Sequence, residues 1–109
     1  MTRIVEYLDE AGLSPFGEWF SKIDGHVAVK ARRSLARMEN GNFGDAKGIG
    51  AGVVECRIDF GPGYRIYFGR DGGDLIVLLA GGTKRRQQAD IETAKARWAD
   101  YKARKKRLQ

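Results

Sequence analysis

Two arginines, a tyrosine and a glutamate alternate with apolar residues in the segment 53–70. Successive side chains of a β-strand point to opposite faces, so such a segment has one apolar and one polar face. Gly61, Pro62 and Gly63 interrupt the alternation with a turn signal, which predicts a β-hairpin. Its polar face then carries side chains that can bind anions or move protons, namely Glu55, Arg57, Arg65 and Tyr67.

A three-residue loop at 61–63 sets the expected register of this hairpin. Apolar residues then face apolar ones and polar residues face polar ones, in the pairs Phe60 with Tyr64, Ile58 with Ile66, Asp59 with Arg65, and Arg57 with Tyr67. A shift of one residue would destroy this agreement. We therefore expect the apolar face to contact the core and the polar face to point outward.

Positive charge exceeds negative charge, mostly near the C-terminus. The 109 residues carry a formal net charge of +6. After residue 83, three carboxylates oppose ten cations: Lys84, Arg85, Arg86, Lys95, Arg97, Lys102, Arg104, Lys105, Lys106 and Arg107. This excess favours nucleic acid, an acidic protein partner, or both, because it attracts polyanions and releases their counterions. The alternative is a solvated charged helix that keeps the chain soluble.

Several function classes are not expected. No apolar run approaches the length of about 18 residues that spans a membrane, and the N-terminus lacks a signal-peptide pattern. The single cysteine, Cys56, falls on the apolar hairpin face, which is typical of a small core residue in a reducing cytoplasm. One histidine, His26, and one cysteine cannot form a structural zinc site, so neither a metal nor a cofactor is expected.

The elements that must position the hairpin can be followed along the chain. Residues 2–8 are predicted to form a strand. Ser14 before Pro15 indicates the start of a helix, and Asp24 can cap a second helix that ends near Asn40 and Gly41. The buried stripes of these helices are predicted to be Phe16, Trp19, Phe20 and Ile23, then Val27, Ala31, Leu35 and Met38.

The C-terminal half supplies the remaining elements. Residues 40–52 contain five glycines and are predicted to be a loop. Residues 75–80 are apolar throughout, which indicates a strand covered on both faces. The last helix has its expected buried stripe at Ile91, Ala94, Trp98 and Tyr101, and the basic tail 102–109 is expected to fray. The order β-α-α-β-β-β-α predicts one α+β domain, 1–109, with a mostly antiparallel sheet.

The segment 55–68 resembles the hairpin of RelE/HigB-type toxins of bacterial toxin–antitoxin systems. It is most similar to the phage-derived "addiction module killer" branch of the RelE/ParE superfamily. That branch also has Gly-Asn-Phe-Gly-Asp before the hairpin, as at 41–45, Gly-Gly-x-Lys after the last strand, as at 81–84, and a helix with Asp90, Ile91 and Trp98. The resemblance covers nearly the whole chain. It implies a RelE-like fold with two N-terminal helices packed on the sheet and a basic C-terminal helix.

The resemblance also implies an activity, a set of partners and a set of residue roles. Characterised RelE-like members are ribosome-dependent endoribonucleases, so a metal-independent cut of mRNA by attack of the ribose 2′-OH is implied. The implied partners are a cognate antitoxin protein, mRNA on the ribosome and ribosomal RNA. Arg65 matches the arginine of the family's Gly-Tyr-Arg and would stabilise phosphate, Arg57 matches a basic strand position, and Lys84 or Arg85 would bind phosphate or the leaving group.

The chain departs from HigB-type relatives in its proton carriers. Its hairpin has no histidine, so the general base is left open among Glu55, Lys84 and a group of the ribosome. Tyr67 can stack on a base or donate a proton, and the expected RNA contacts are Lys47, Arg85 and Arg86.

Structural alternatives exist for the same residues. Arg57 and Arg65 can form exposed ion pairs with Glu55 and Asp59, which would contribute little. Tyr67 can pack beneath the last helix, and Lys47 can be a solvated loop residue. Trp19 and Trp98 are expected in the core. At the level of function, the alternatives are a ParE-like toxin that inhibits gyrase through a protein interface and a non-enzymatic nucleic-acid-binding module.

Overall fold

Helices and strands follow one another in the order β-α-α-β-β-β-β-α in a computed structural model that describes residues 2–108. The strands are β1 Arg3–Glu6, β2 Ala46–Gly50, β3 Val53–Ile58, β4 Tyr64–Arg70 and β5 Leu75–Thr83. The helices are α1 Pro15–Lys22, α2 Gly25–Glu39 and α3 Gln87–Arg107, and one 3₁₀ turn spans Lys84–Arg86. Within residues 2–108, no helix combines the length and the apolar character needed to cross a membrane.

The two N-terminal helices begin where their capping residues predicted. The Ser14 hydroxyl accepts a hydrogen bond from the Gly17 amide at 2.9 Å, and Pro15 occupies the first helical position. The Asp24 carboxylate accepts one from the His26 amide at 2.8 Å. Each cap satisfies an amide that has no partner within its helix.

One five-stranded sheet holds the molecule together, with strand order β1-β5-β4-β3-β2. Strands β1 and β5 are parallel and the other neighbours are antiparallel, so the predicted α+β class with a mostly antiparallel sheet is confirmed. β5 lies inside the sheet and is buried on both faces, as its uninterrupted apolar run predicted.

Strand β2 was not expected, because residues 40–52 were predicted to be a loop. It pairs antiparallel with β3, placing Lys47 opposite Glu55. Its sequence, Ala-Lys-Gly-Ile-Gly, has weak side-chain alternation, so the free edge of β3 rather than local preference defines it. The element order therefore has one strand more than predicted.

The hairpin register also differs from the prediction. Arg57 lies opposite Arg65, and Glu55 lies opposite Tyr67. The connection has five residues, 59–63, and includes a turn that begins at Phe60, whose carbonyl accepts a hydrogen bond from the Gly63 amide at 3.1 Å. The register is displaced by two residues, so each side chain stays on its predicted face.

The two faces of the sheet carry separate cores. On one face, α1 and α2 contribute Phe16, Ala31 and Met38 to a cluster that includes Cys56, Ile66 and Phe68 of the hairpin. This packing is loose, since an open apolar groove of about 680 Å³ remains between β1, α1 and α2. Cys56 is buried as predicted, and burial raises the pKa of its thiol to about 11.

Helix α3 crosses the other face, where it packs Ala94 and Trp98 against Val53, Tyr67 and Val77. The expectation that the polar hairpin face points outward is therefore wrong over much of its length. Gly69 lets the Trp98 ring approach the sheet, since a Cβ at this position would lie 2.5 Å from the ring.

Residues 102–109 were expected to fray, and the described part of this tail continues α3 as far as Arg107. Two ion pairs support its last turns. Arg104 Nη2 lies 2.6 Å from Asp100 Oδ2, and Lys105 Nζ lies 2.6 Å from Asp71 Oδ1 in the β4–β5 turn.

Candidate functional site

An open pocket of about 250 Å³ lies beside the turn that joins β3 and β4. We call it the hairpin pocket. Three of the predicted cationic residues line it together, Arg57 from β3, Arg65 from β4 and Lys84 from the 3₁₀ turn, and the other lining side chains include Asp59 and Tyr64. Three cations on separate elements around one open cavity form a surface suited to a phosphate group.

A backbone contact brings Lys84 to the hairpin. Its amide donates a hydrogen bond of 3.1 Å to the carbonyl of Gly63, at the end of the turn. Arg65 Nη1 and Lys84 Cβ each lie 3.7 Å from the point that a Cβ on Gly63 would occupy, and Gly63 has a φ of +87°. Glycine at position 63 therefore allows the turn conformation and keeps the space between the two cations open.

Arg57 and Arg65 lie directly opposite each other on neighbouring strands, a placement that is unfavourable for like charges. Each has its own carboxylate. Arg57 Nε lies 2.9 Å from Asp45 Oδ2 in an exposed pair, and Arg65 Nε lies 3.6 Å from Glu55 Oε2 in a buried pair. The Arg57 side chain is 52% exposed, so it stays accessible to a ligand.

Glu55 lies behind the hairpin pocket, not in its wall. Its exposure is 0%, and its Oε2 accepts a hydrogen bond of 2.9 Å from Gln87 Nε2 at the start of α3. Within residues 2–108, Glu55 Oε1 has no hydrogen-bond partner. The carboxylate can therefore hold the Arg65 guanidinium in place, but it cannot reach a substrate in this conformation.

Tyr67 is buried beneath α3, with an exposure of 0%. Burial raises the pKa of its phenol well above the usual value, and the neighbouring Glu55 carboxylate raises that pKa further. Within residues 2–108, its hydroxyl makes no hydrogen bond of good geometry, although the Glu55 carboxylate lies close to it. The structure thus places Tyr67 where the packing alternative expected it, away from the cavity.

A β-bulge in β5 determines which residue lies opposite Arg65. Tyr67 pairs with Ala80 while Phe68 pairs with Leu78, so β5 contains one extra residue between these pairs. The bulge puts Gly82 opposite Arg65 on the α3 face, where the Asp90 carboxylate packs against it. Burial raises the pKa of Asp90, an effect that Arg86 and Arg97 oppose.

The remaining predicted residues do not line the hairpin pocket. Lys47 is exposed on the edge strand β2, and Arg85 is exposed on the 3₁₀ turn. Arg86 lines a separate cavity between α1 and α3, together with Asp90 and Arg97. All three stay predicted RNA contacts at the periphery.

Sequence reasoning missed two lining residues, Asp59 and Tyr64, as candidates for function. Asp59 was expected to pair with Arg65, but it lies in the turn and forms no ion pair with the residues of the 2–108 segment. It is the exposed carboxylate of the hairpin pocket. The turn could have indicated this, since a five-residue connection places residues 59 and 60 outside the strand.

Fold and site together define a class of protein: a small α+β domain whose central hairpin presents an open cationic pocket, with a buried glutamate–arginine pair behind it. No family model matches the chain. The chain is 42% identical over 81 residues to a Haemophilus influenzae protein described as uncharacterized, an alignment that covers 73% of this chain and 82% of that protein. The chain belongs to the family of that H. influenzae protein.

Proposed function

We propose that the protein is an endoribonuclease toxin of a toxin–antitoxin system that cleaves ribosome-bound mRNA. The observation that carries this proposal is the convergence of Arg57, Arg65 and Lys84 on one open pocket. Phosphoryl transfer requires cations fixed around the phosphate, because negative charge on its oxygens grows in the transition state. The resemblance of the hairpin to RelE/HigB-type toxins supplies RNA as the substrate.

The pocket's residues suit attack of the ribose 2′-OH on the adjacent phosphorus. The exposed Arg57 would bind phosphate oxygens with its forked guanidinium group, and the largely buried Arg65 would contribute through its Nη1, which lies beside Gly63 at the pocket. Asp59 would take the proton of the 2′-OH, since it is the accessible carboxylate of this pocket. The bond from phosphorus to the 5′-oxygen then breaks, Lys84 donates a proton to that oxygen, and a 2′,3′-cyclic phosphate remains on the other fragment. This scheme involves no metal ion or other cofactor.

In this scheme Glu55 is a positioning residue. Its buried carboxylate lies 3.6 Å from Arg65 Nε and is itself held by Gln87. A fixed guanidinium loses little freedom when the phosphate arrives, which favours the transition state. Tyr67 packs in the core beneath α3 and takes no part in proton transfer in this scheme.

The fold and the partners are part of the proposal. We take the fold to be RelE-like, with β2 as an added edge strand before the hairpin. The open shape of the pocket fits an mRNA strand presented by the ribosome, and basic side chains around it suit ribosomal RNA. The net charge of +6 favours an acidic antitoxin, which would neutralise the same surface.

A second candidate, a non-enzymatic nucleic-acid-binding module, is favoured by one observation. Glu55 and Tyr67, two of the predicted proton carriers, are buried. Proton transfer in the hairpin pocket therefore depends on Asp59 and Lys84. If neither can transfer a proton, the same three cations bind RNA without cleaving it.

Induced expression and primer extension test these candidates. One transcript is compared in a translated and an untranslated copy, with wild type, Arg57→Ala and Arg65→Ala. Cuts that occur in the translated copy alone support the proposal if Arg57→Ala and Arg65→Ala both remove them while circular dichroism shows that both variants are folded. Growth arrest with intact mRNA would reject it, and inhibited DNA supercoiling would then indicate the gyrase alternative. Neither arrest nor cleavage, with RNA still bound, would indicate the binding module.

The matched control is Arg3→Ala. Arg3 is an exposed arginine at the start of the edge strand β1, so this variant loses the same charge without touching the hairpin pocket. Asp59→Asn separates the two leading candidates, because it should abolish cleavage while preserving RNA binding. Equal cleavage by wild type and Asp59→Asn would remove Asp59 from the mechanism.

A further inference from the structure

A second cavity, of about 180 Å³, adjoins the hairpin pocket. Arg57, Ile58 and Asp59 line both cavities, so the two form one continuous surface. The far wall of the second cavity comes from α2, which contributes Ser34 and three cations: Lys30, Arg33 and Arg37. We call this second cavity the α2 groove.

The three α2 cations lie along one side of their helix. Their spacing of three and four residues places them on one face, over about 10 Å of helix. The buried residues Val27, Ala31 and Met38 hold a neighbouring face of the helix, roughly 110° around its axis, against the rest of the molecule. The direction of the cations is therefore fixed by the core, although the side chains themselves are solvated.

Charge in the α2 groove is not compensated locally. Within residues 2–108, none of Lys30, Arg33 and Arg37 has a carboxylate within 4.0 Å. Asp59 is the acidic residue of the groove, and Arg57 is already paired with Asp45. A solvated helix face usually mixes both signs of charge, so an unmixed row beside a cavity is suited to a polyanion.

We propose that the α2 groove binds the backbone of a single RNA strand whose neighbouring phosphate occupies the hairpin pocket. Arg57 lies at the junction and contacts both parts of the strand. This inference rests on the proposed function for the identity of the strand, but it adds a second site that the chemistry does not need. It makes α2 part of the substrate-binding surface.

Aromatic side chains favour a single strand of RNA over an acidic polypeptide. The half-buried Phe60 ring packs against the core beside the groove, with Lys30 Nζ 5.1 Å from its centroid, so stacking there requires Lys30 to move aside. Tyr64 lines the hairpin pocket on the other side of the junction. Unpaired bases stack on such rings while arginines follow the phosphates, a combination that a chain of carboxylates does not use.

The test is binding of a short single-stranded RNA with a 2′-O-methyl group on every ribose, which the proposed reaction cannot cleave. Wild type is compared with Arg33→Gln/Arg37→Gln. The control is Arg3→Gln/Arg32→Gln, which removes equal charge and includes an arginine of α2 that lines the apolar groove instead. Thermal unfolding checks that both variants remain folded.

Loss of two phosphate contacts should lower the slope of log affinity against log salt by about 1.4, since each contact on a single strand contributes about 0.7. At about 0.1 M salt this corresponds to a roughly 25-fold weaker complex for Arg33→Gln/Arg37→Gln. The control should change both quantities much less. Equal losses in the two variants would show bulk attraction and overturn the inference, as would no loss in either or no binding by wild type.

Poly-L-glutamate provides the opposing probe. If it binds wild type as tightly as the RNA does, and weakens equally in Arg33→Gln/Arg37→Gln, the groove is a site for acidic polypeptide and the inference fails. Cleavage of unmodified transcript is measured separately. If binding depends on the α2 groove but wild type cleaves no transcript, the proposed nuclease activity is rejected and the groove proposal stands. If wild type cleaves transcript but binding does not depend on the groove, the groove proposal is rejected and the nuclease proposal stands.

Discussion

Replacing Glu55 by glutamine tests the central geometric claim, that a buried carboxylate holds Arg65 in place. The substitution preserves the shape of the side chain and an oxygen that can accept from Gln87, but it removes the charge. Arg65 is 6% exposed, so its guanidinium would then be a buried cation without a counter-ion. Removal of one partner from a buried pair costs about 3–5 kcal/mol.

The local geometry places the expected cost near the lower end of that range. Arg65 Nε lies 3.6 Å from Glu55 Oε2, which is longer than a hydrogen bond, and Arg65 Nη1 lies next to Gly63 at the open pocket. Both features reduce the cost of leaving the Arg65 guanidinium without its counter-ion. We therefore expect Glu55→Gln to lower the free energy of unfolding by about 3 kcal/mol.

Urea unfolding followed by circular dichroism measures this change. A chain of this size has an m value of about 1–3 kcal/mol/M, so the midpoint should fall by roughly 1–3 M while m stays constant. Because domains are stable by about 5–15 kcal/mol, the variant should still be folded in buffer. If the proposed function holds, its RNA cleavage should fall as well, through kcat rather than KM.

The double variant Glu55→Gln/Arg65→Met tests whether the lost stability comes from the interaction between the two side chains. Arg65→Met alone leaves a buried carboxylate, so it too should destabilise the fold. Glu55→Gln with Arg65→Met removes both charges and should be more stable than the sum of the single variants predicts, by about 0.5–3 kcal/mol. Strict additivity, or a loss below about 1 kcal/mol in Glu55→Gln, would refute the claim that Glu55 positions Arg65.

Three further predictions follow from buried groups. Tyr67→Phe should leave stability unchanged or raise it, because it removes a buried hydroxyl that makes no hydrogen bond of good geometry, a group whose burial costs about 1–3 kcal/mol. If the proposed function holds, Tyr67→Phe should also leave RNA cleavage intact. The pKa of the Tyr67 phenol is higher in the folded protein than in the unfolded one. The stability that this difference contributes is fully present below the unfolded pKa of about 10 and is lost as the pH rises through the folded pKa. Urea unfolding across pH should therefore show that wild type loses more stability than Tyr67→Phe above pH 10. Gly82→Ala should destabilise the fold by about 1–3 kcal/mol because its Cβ would overlap the Asp90 carboxylate, and thermal unfolding should show recovery on adding Asp90→Ala. Cys56 should resist thiol reagents in the native protein and react in urea, because it is buried with a pKa of about 11. Reaction of the folded protein as fast as an exposed cysteine would contradict this.

The parts of the fold that depend on short-range signals could be predicted from the sequence. The caps at Ser14 and Asp24 and the faces of the hairpin depend on residues a few positions apart. The hairpin register could not be predicted in the same way. A shift of two residues leaves every side chain on its face, so alternation cannot distinguish Asp59 opposite Arg65 from Arg57 opposite Arg65.

Features that depend on distant contacts were missed. Strand β2 forms because an edge of β3 is free, and the last turns of α3 are held by Asp71 from a turn far away in the chain. For the candidate site, the sequence indicated the types of the residues but not which of them are buried. Glu55 and Tyr67 are buried because α3 crosses their face, and no pattern within the hairpin specifies where that helix lies.

The positions of the carboxylates explain how Arg57 and Arg65 can lie close together and still line the hairpin pocket. Arg57 and Arg65 repel each other across the strands, so a bare pair would destabilise the hairpin. Asp45 and Glu55 reduce that repulsion from the sides away from the cavity, while the guanidinium ends still line it. Had Asp59 paired with Arg65, as the expected register implied, that pair would have lain on the accessible side of the hairpin. The two-residue displacement therefore separates the buried carboxylate beside Arg65, Glu55, from the exposed carboxylate of the hairpin pocket, Asp59.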